Sequence, residues 1–160
     1  MRLTFREATA ADLDAIVRIE DACFPGEAWS RASLAEELER PGGIAWVAVV
    51  GCDVAGFALG MMGGDVLDVL QVAVDPARQR AGVGRGLVGA LHAAAVAPGR
   101  CERAAEAFLE VRVDNVAASA MYLACGYSDV HVRRRYYADG CDARVMRRDL
   151  SGPDGLSTRG

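Results

Sequence analysis

The sequence predicts an α/β fold, a mixed sheet flanked by helices in the order β-α-α-β-β-β-α-β-α-β-β, on three observations. Three apolar, β-branched runs at 44–50, 54–61 and 66–74 are separated only by Gly51-Cys52-Asp53 and Gly63-Gly64-Asp65. Turns that short make the runs an antiparallel meander. Helical spacing then holds over 83–97, and another strand follows at 107–113. A helical crossover sets that strand parallel to the last strand of the meander. The remaining signals, a helix at 115–124 and strands at 127–135 and 144–150, complete the order.

Each earlier element has its own punctuation. Alternation at 2–6 reads as a strand, and Thr9 precedes a helix at 10–22 with Asp12 in its first turn. Phe24-Pro25-Gly26 ends that helix. Ser30 caps a second one, with Leu34 and Leu38 on one face, and Pro41-Gly42-Gly43 stops it. Asp75-Pro76 closes the third meander strand, since proline cannot extend a ladder. Pro98-Gly99 ends the crossover helix; Asp114 or Asn115 caps the last helix and Gly126 stops it. Asp139-Gly140 predicts a hairpin turn. One domain is expected over 1–150, with a Gly/Ser/Pro-rich tail at 151–160 expected to be disordered.

Composition narrows the function classes. At 160 residues, 52% apolar and 25% charged, the chain buries a core without staples. A net charge of −4 argues against a strongly basic nucleic-acid binder, and Arg133-Arg134-Arg135 reads as a solvated strand face. All 18 basic residues are arginine. Cys23, Cys52, Cys101, Cys125 and Cys141 form no C-x-x-C pair, and with only His92 and His131 no zinc spacing can be assembled, so no metal is expected. The start has no apolar leader, and the longest apolar run, 44–50, is too short to span a bilayer. A cytoplasmic protein without membrane partners is the expectation.

The chemistry begins at 79–86, Gln-Arg-Ala-Gly-Val-Gly-Arg-Gly, between a strand and a helix. Glycines let backbone N–H groups approach an anion, and a helix start supplies unpaired donors and a positive dipole end. With Arg78, Arg80 and Arg85 nearby, a pyrophosphate is the natural guest; a tight turn without ligand is the plainer alternative. Gly84 to Gly89 also satisfies G-x-G-x-x-G, but it does not start at a strand end in an opening βαβ unit. A Walker loop needs a lysine, which the chain lacks.

Gln79-Arg80-Ala81-Gly82-Val83-Gly84 resembles the Q/R-x-x-G-x-G/A signature of the GNAT acyl-CoA acetyltransferases, and Val72-Ala73-Val74-Asp75-Pro76 resembles the strand that precedes it. Four further segments are similar to the bacterial ribosomal-protein alanine N-acetyltransferases of that family. They are Leu109-Glu110-Val111-Arg112 with Asn115, Ala120-Met121-Tyr122, Gly126-Tyr127 and Arg134-Arg135-Tyr136-Tyr137. The resemblance implies acetyl-CoA as co-substrate. Backbone groups of Val72, Ala73 and Val74 would hold its pantetheine arm, and Arg80, Ala81, Gly82, Val83, Gly84 and Arg85 its pyrophosphate. Asn115 would also contact it. Glu110 would be the general base and Tyr122 the general acid. Phe24 and Trp29 would face Tyr136 and Tyr137 across an acceptor groove. The implied partner is a protein N-terminus, alanine one of small-subunit ribosomal protein eighteen. One departure stands out: the family's compact F-P-W-S is here Phe24-Pro25-Gly26-Glu27-Ala28-Trp29-Ser30, which changes the acceptor loop.

Acetyl transfer to an amine needs a proton acceptor, a stabilised carbonyl oxygen and a protonated or tolerated thiolate. An α-amine with pKa of about 7.7–8.0 needs only modest help from a carboxylate. Glu110 fits that role, or else pairs with Arg112 or another arginine. Tyr122 is either a proton donor or a packing tyrosine. Cys125 has no evident base and reads as a small buried residue. The carbonyl oxygen is expected to meet a backbone N–H near Ala73 or Val74. Two alternatives to N-terminal acetylation stay open on the residues alone: the same fold acting on lysines or small amines, and a non-catalytic acyl-CoA-binding module.

Overall fold

The computed structural model describes residues 1–152. Most of the tail expected to be disordered, 153–160, lies outside the described residues. Strand β1 (Leu3–Glu7) leads through a 3-10 turn (Ala10–Asp12) into α1 (Leu13–Cys23) and then α2 (Arg31–Glu39). The meander is β2 (Gly43–Val50), β3 (Asp53–Gly63) and β4 (Val66–Val74). Next come a 3-10 turn (Pro76–Arg78), α3 (Val83–Ala95), β5 (Glu106–Arg112), α4 (Val116–Ala124), β6 (Ser128–Arg133) and β7 (Ala143–Asp149). The expected α/β order and mixed sheet are present. Ser30 caps α2 by accepting from the Ser33 amide at 3.1 Å, and Asn115 caps α4 by accepting from the Ala118 amide at 3.1 Å.

The seven strands lie in the order β1-β2-β3-β4-β5-β7-β6. All neighbours are antiparallel except β4 and β5, which the α3 crossover makes parallel. Both faces of the sheet are covered. Leu87, Val88 and Leu91 of α3 pack with Ala58, Leu67 and Leu109 on one face; Ile16, Ile19 and Leu34 pack with Val47, Phe57 and Leu59 on the other. Burial on both faces explains why the middle of β3 is apolar without alternation.

The feature that makes a site is where β4 and β5 separate. They pair only from Val66 with Glu106 to Val69 with Leu109. On the β3 side Gln71 lies opposite Leu59 and Val69 opposite Gly60, so Leu70 is an extra residue, a β-bulge that bends β4. Meanwhile β5 stays straight against β7 out to Arg112 with Ala143. Beyond the bulge, the β4 edge that faces β5 has no strand partner among the described residues.

One expectation needs correction. Asp139-Gly140 is not a two-residue hairpin: β6 ends at Arg133, earlier than expected, and the connection to β7 runs over 134–142. Gly140 (φ +85°) only closes a turn inside it, donating to the Tyr137 carbonyl at 2.9 Å. The glycines after Gly82 also have another use. A Cβ on Gly84 would meet Met121 Sδ at 2.6 Å, and one on Gly86 would fall on the Phe5 ring. They let α3 approach α4 and β1 closely.

Candidate active site

Parting of β4 and β5 opens a cavity of about 870 Å³. Strand alternation decides what lines it. On β5, Ala107, Leu109 and Val111 are buried, so Phe108, Glu110 and Arg112 share the opposite face and enter the cavity wall. Val72, Asn115, Tyr122, Phe24, Trp29, Tyr136 and Tyr137 line the same cavity. Of the remaining expected site residues, Ala73, Val74 and 80–85 lie outside that lining.

Glu110 holds an arginine, though not Arg112: its Oε1 lies 3.1 Å from Nε of Arg133. Hydrogen bonding to Glu110, then burial, raises the pKa of the Tyr136 phenol. A second carboxylate shares this wall. Asp68 of β4 lines the cavity, and burial together with the Glu110 charge raises its pKa above the usual carboxylate value. Sequence reading missed Asp68 because it stands alone in an apolar run. Its place two residues before the bulged Leu70 is what gives it meaning, and that bulge is not visible in the sequence.

Glu20 is a third acid the sequence reading passed over. It is fully buried on α1, accepts from the Trp29 amide at 3.0 Å, and accepts from Gln71 Nε2 at 2.9 and 3.1 Å. Burial raises its pKa first, against the lowering effect of those bonds. Gln71 lines the cavity beside the bulge, so Glu20 ties the α1–α2 loop to the bent part of β4.

Tyr122 projects from α4 and is 7% exposed. Its ring meets Tyr127 edge-on, with centroids 5.9 Å apart. Burial is the main reason its phenol titrates above the ordinary value. Burial likewise raises the Cys125 thiol, which fits an inert apolar residue.

At the other end of the parted strand, Gly82 takes the left-handed conformation (φ +79°) and caps α3. Arg80 is left-handed too (φ +63°). Gly86 makes the first intrahelical bond, to the Gly82 carbonyl at 3.0 Å, so the amides of Val83, Gly84 and Arg85 precede the ladder. Arg80, Ala81, Gly82 and Arg85 are exposed, while Val83 and Gly84 bury their side-chain positions toward the core. A helix start of this kind suits a pyrophosphate. The Val74 carbonyl already accepts from Cys23 Sγ at 3.1 Å and Gln79 Nε2 at 3.2 Å.

Two walls flank the cavity on the α1–α2 side of the sheet. Phe24, Gly26, Glu27 and Trp29 form one; Tyr136, Tyr137 and Ala138 form the other. Tyr136 and Tyr137 meet edge-on at 5.1 Å, and Arg112 lies over Tyr137 at 4.9 Å. Burial pushes the Tyr137 phenol up to about 12. The arrangement offers carboxylates for an amine, a protonated phenol and a bare strand edge around one space.

Known proteins resemble this chain in sequence and in fold. A family model described as the acetyltransferase (GNAT) family matches residues 13–127. N-alpha-acetyltransferase RimI of Mycobacterium tuberculosis is 36% identical over 157 residues, 94% of this chain and 95% of that one. The [ribosomal protein bS18]-alanine N-acetyltransferase of Escherichia coli strain K12 is 37% identical over 100 residues, 61% of this chain and 65% of that one. A crystal structure of the ribosomal-protein-S18-alanine N-acetyltransferase from Escherichia coli superposes with a TM-score of 0.79 at 28% identity, covering 99% and 97% of the two chains.

Proposed function

The chain belongs to the GNAT acetyltransferase family, and on that premise we propose that it transfers acetyl from acetyl-CoA to the N-terminal α-amine of a protein, with the alanine of ribosomal protein bS18 as acceptor. The observation that carries the reading is the parting of β4 from β5, which leaves a strand edge and two carboxylates around one cavity.

The residues divide the work as follows. The amides of Val83, Gly84 and Arg85, with Arg80, Ala81 and Gly82 around them, bind the pyrophosphate; the edge at Val72, Ala73 and Val74 offers the amide-bearing arm the backbone groups that remain once Cys23 and Gln79 have taken the Val74 carbonyl. Asn115 keeps Nδ2 for the co-substrate while Oδ1 caps α4. On the acceptor side, Phe24 and Trp29 oppose Tyr136 and Tyr137 in the lining of the cavity, where the chain end would enter. Glu110 attracts the ammonium and takes its proton. Asp68, more basic than an ordinary carboxylate because of burial and Glu110, is a second acceptor for that proton. Tyr122 holds its proton throughout the working pH range and donates a hydrogen bond to the departing sulfur. Attack is direct, since no nucleophilic side chain is needed between donor and acceptor.

Acetyl-CoA with a bS18-type peptide that begins with alanine and carries one internal lysine tests the reading. Mass spectrometry is expected to place one acetyl group on the terminal nitrogen. Acetylation confined to the lysine, or none with folded enzyme, overturns it.

A further inference from the structure

Arg112 does something the reaction does not require. Its guanidinium reaches three carboxylates on three separate loops. Nε and Nη2 donate to the two oxygens of Asp114 at 3.0 and 3.1 Å. Nη1 and Nη2 donate to Asp139, and Nη1 also donates to Glu27 Oε1 at 2.9 Å. Its plane lies over Tyr137. Asp114 is two residues away and Asp139 belongs to the Tyr137 wall, so those contacts hold Arg112 to one side. The Glu27 contact alone crosses to the other wall, joining positions 85 apart in sequence.

Glu27 sits in the Gly26-Glu27-Ala28 segment that separates Phe24-Pro25 from Trp29-Ser30. Gly26 turns left-handed (φ +81°), and the Glu27 amide donates to the Phe24 carbonyl at 3.0 Å, which aims this segment across the cleft. Glu20 fixes the loop at Trp29. The crest is therefore held across the cleft by one charge-assisted hydrogen bond, between a carboxylate that is 43% exposed and a guanidinium that is 21% exposed.

We propose that the Glu27–Arg112 bridge is a latch across the acceptor mouth that makes the site select a chain terminus over an internal amine; this rests on the N-terminal acetylation proposed above. A terminus enters as a single strand end beneath the bridge. An internal lysine arrives on a chain that continues in both directions, and one of those directions runs into the bridged walls. Glu27 is thus a specificity residue that acts through Arg112, not a participant in proton transfer.

Two peptides of one sequence test this: one with a free N-terminal alanine, and one with that nitrogen acetylated so that only its lysine can react. In Glu27→Ala the ratio of kcat/KM for the lysine to kcat/KM for the terminus is expected to rise about tenfold or more over the wild-type ratio, with Glu27→Gln in between. Raising ionic strength, which screens an exposed pair, is expected to raise the wild-type ratio but not that of Glu27→Ala. An unchanged ratio in an active Glu27→Ala, or equal salt responses, overturns the latch while N-terminal acetylation stands. Wild-type enzyme that acetylates no terminus overturns both.

Discussion

Tyr122 shows how a single environment changes a role. On residue type alone the phenol would lose its proton near pH 10, close enough to a thiol to pass it on. Burial among Tyr127 and the α3–α4 core moves its titration higher, so full transfer to a thiolate would run uphill, and the role proposed for the phenol is a hydrogen bond as charge builds. Tyr122→Phe keeps the ring packing and removes that donor. Steady-state kinetics are expected to show kcat lowered by about 10- to 100-fold with KM for acetyl-CoA nearly unchanged; an unaltered kcat removes the role. Gly86 carries the residue-scale argument for stability. A Cβ there would fall on the Phe5 ring, which packs partly buried between β1 and α3, so the ring or the helix must shift. Gly86→Ala is expected to cost about 1–3 kcal/mol in urea unfolding, and adding Phe5→Leu to recover part of it. If Phe5→Leu recovers nothing, the clash is not the cause.

Between elements, the buried carboxylate of Glu20 is a joint. It satisfies the Trp29 amide at the end of the α1–α2 loop and Gln71 on bent β4, with no ion pair to a cation among the described residues. Glu20→Ala leaves both donors unpaired, so stability is expected to fall by about 1–3 kcal/mol. The KM for acceptor peptide should rise while that for acetyl-CoA holds. Glu20→Gln still accepts from Trp29 without a buried charge and is expected to restore peptide KM; if it behaves like Ala, the joint is wrong. This joint also marks the limit of what the sequence shows. Helix ends at Ser30 and Asn115 are legible because capping is local, and Glu110 with Arg112 on one strand face is legible because strand periodicity is two. The Leu70 bulge, the insertion of β7 between β5 and β6, and the contacts of Gly84 and Gly86 depend on partners far along the chain. Nothing near those residues encodes them. Asp68, alone in an apolar run, and Glu20, beside Asp21 on a helix, were missed for the same reason: each becomes meaningful only when the opposing element is placed.

On the α3 face of the sheet a buried polar chain joins α3 to β7, and the response of the whole molecule to pH follows. His92 of α3 is 1% exposed; its Nε2 lies 2.6 Å from the Tyr127 hydroxyl, and its Nδ1 lies 3.1 Å from Nη1 of Arg148 on β7. Arginine can only donate, so Nδ1 accepts, and Nε2 carries the hydrogen and donates to Tyr127. Burial, then the Arg148 charge, lowers the imidazole from 6.5 to about 4. Between those values the unfolded chain binds the proton and the folded one does not, so the contribution is complete above pH 6.5 and is lost as pH falls toward 4. The size is about 3 kcal/mol. Other groups bracket this window. Asp12, held down chiefly by Arg6, loses its contribution only at lower pH, whereas burial raises Glu20 and Asp68, which gain protons on folding and oppose the histidine as pH falls. A wild-type curve alone therefore mixes opposite signs, and the comparison must be with a variant. His92→Gln places an acceptor near Arg148 and a donor near Tyr127 without a titrating ring. Unfolding free energies in urea from pH 7.5 to 4 are expected to show wild type losing its advantage over His92→Gln by about 3 kcal/mol, most of it below pH 6.5. A gap independent of pH would mean that this imidazole titrates alike in both states, and that the buried chain from α3 to β7 does not keep it neutral.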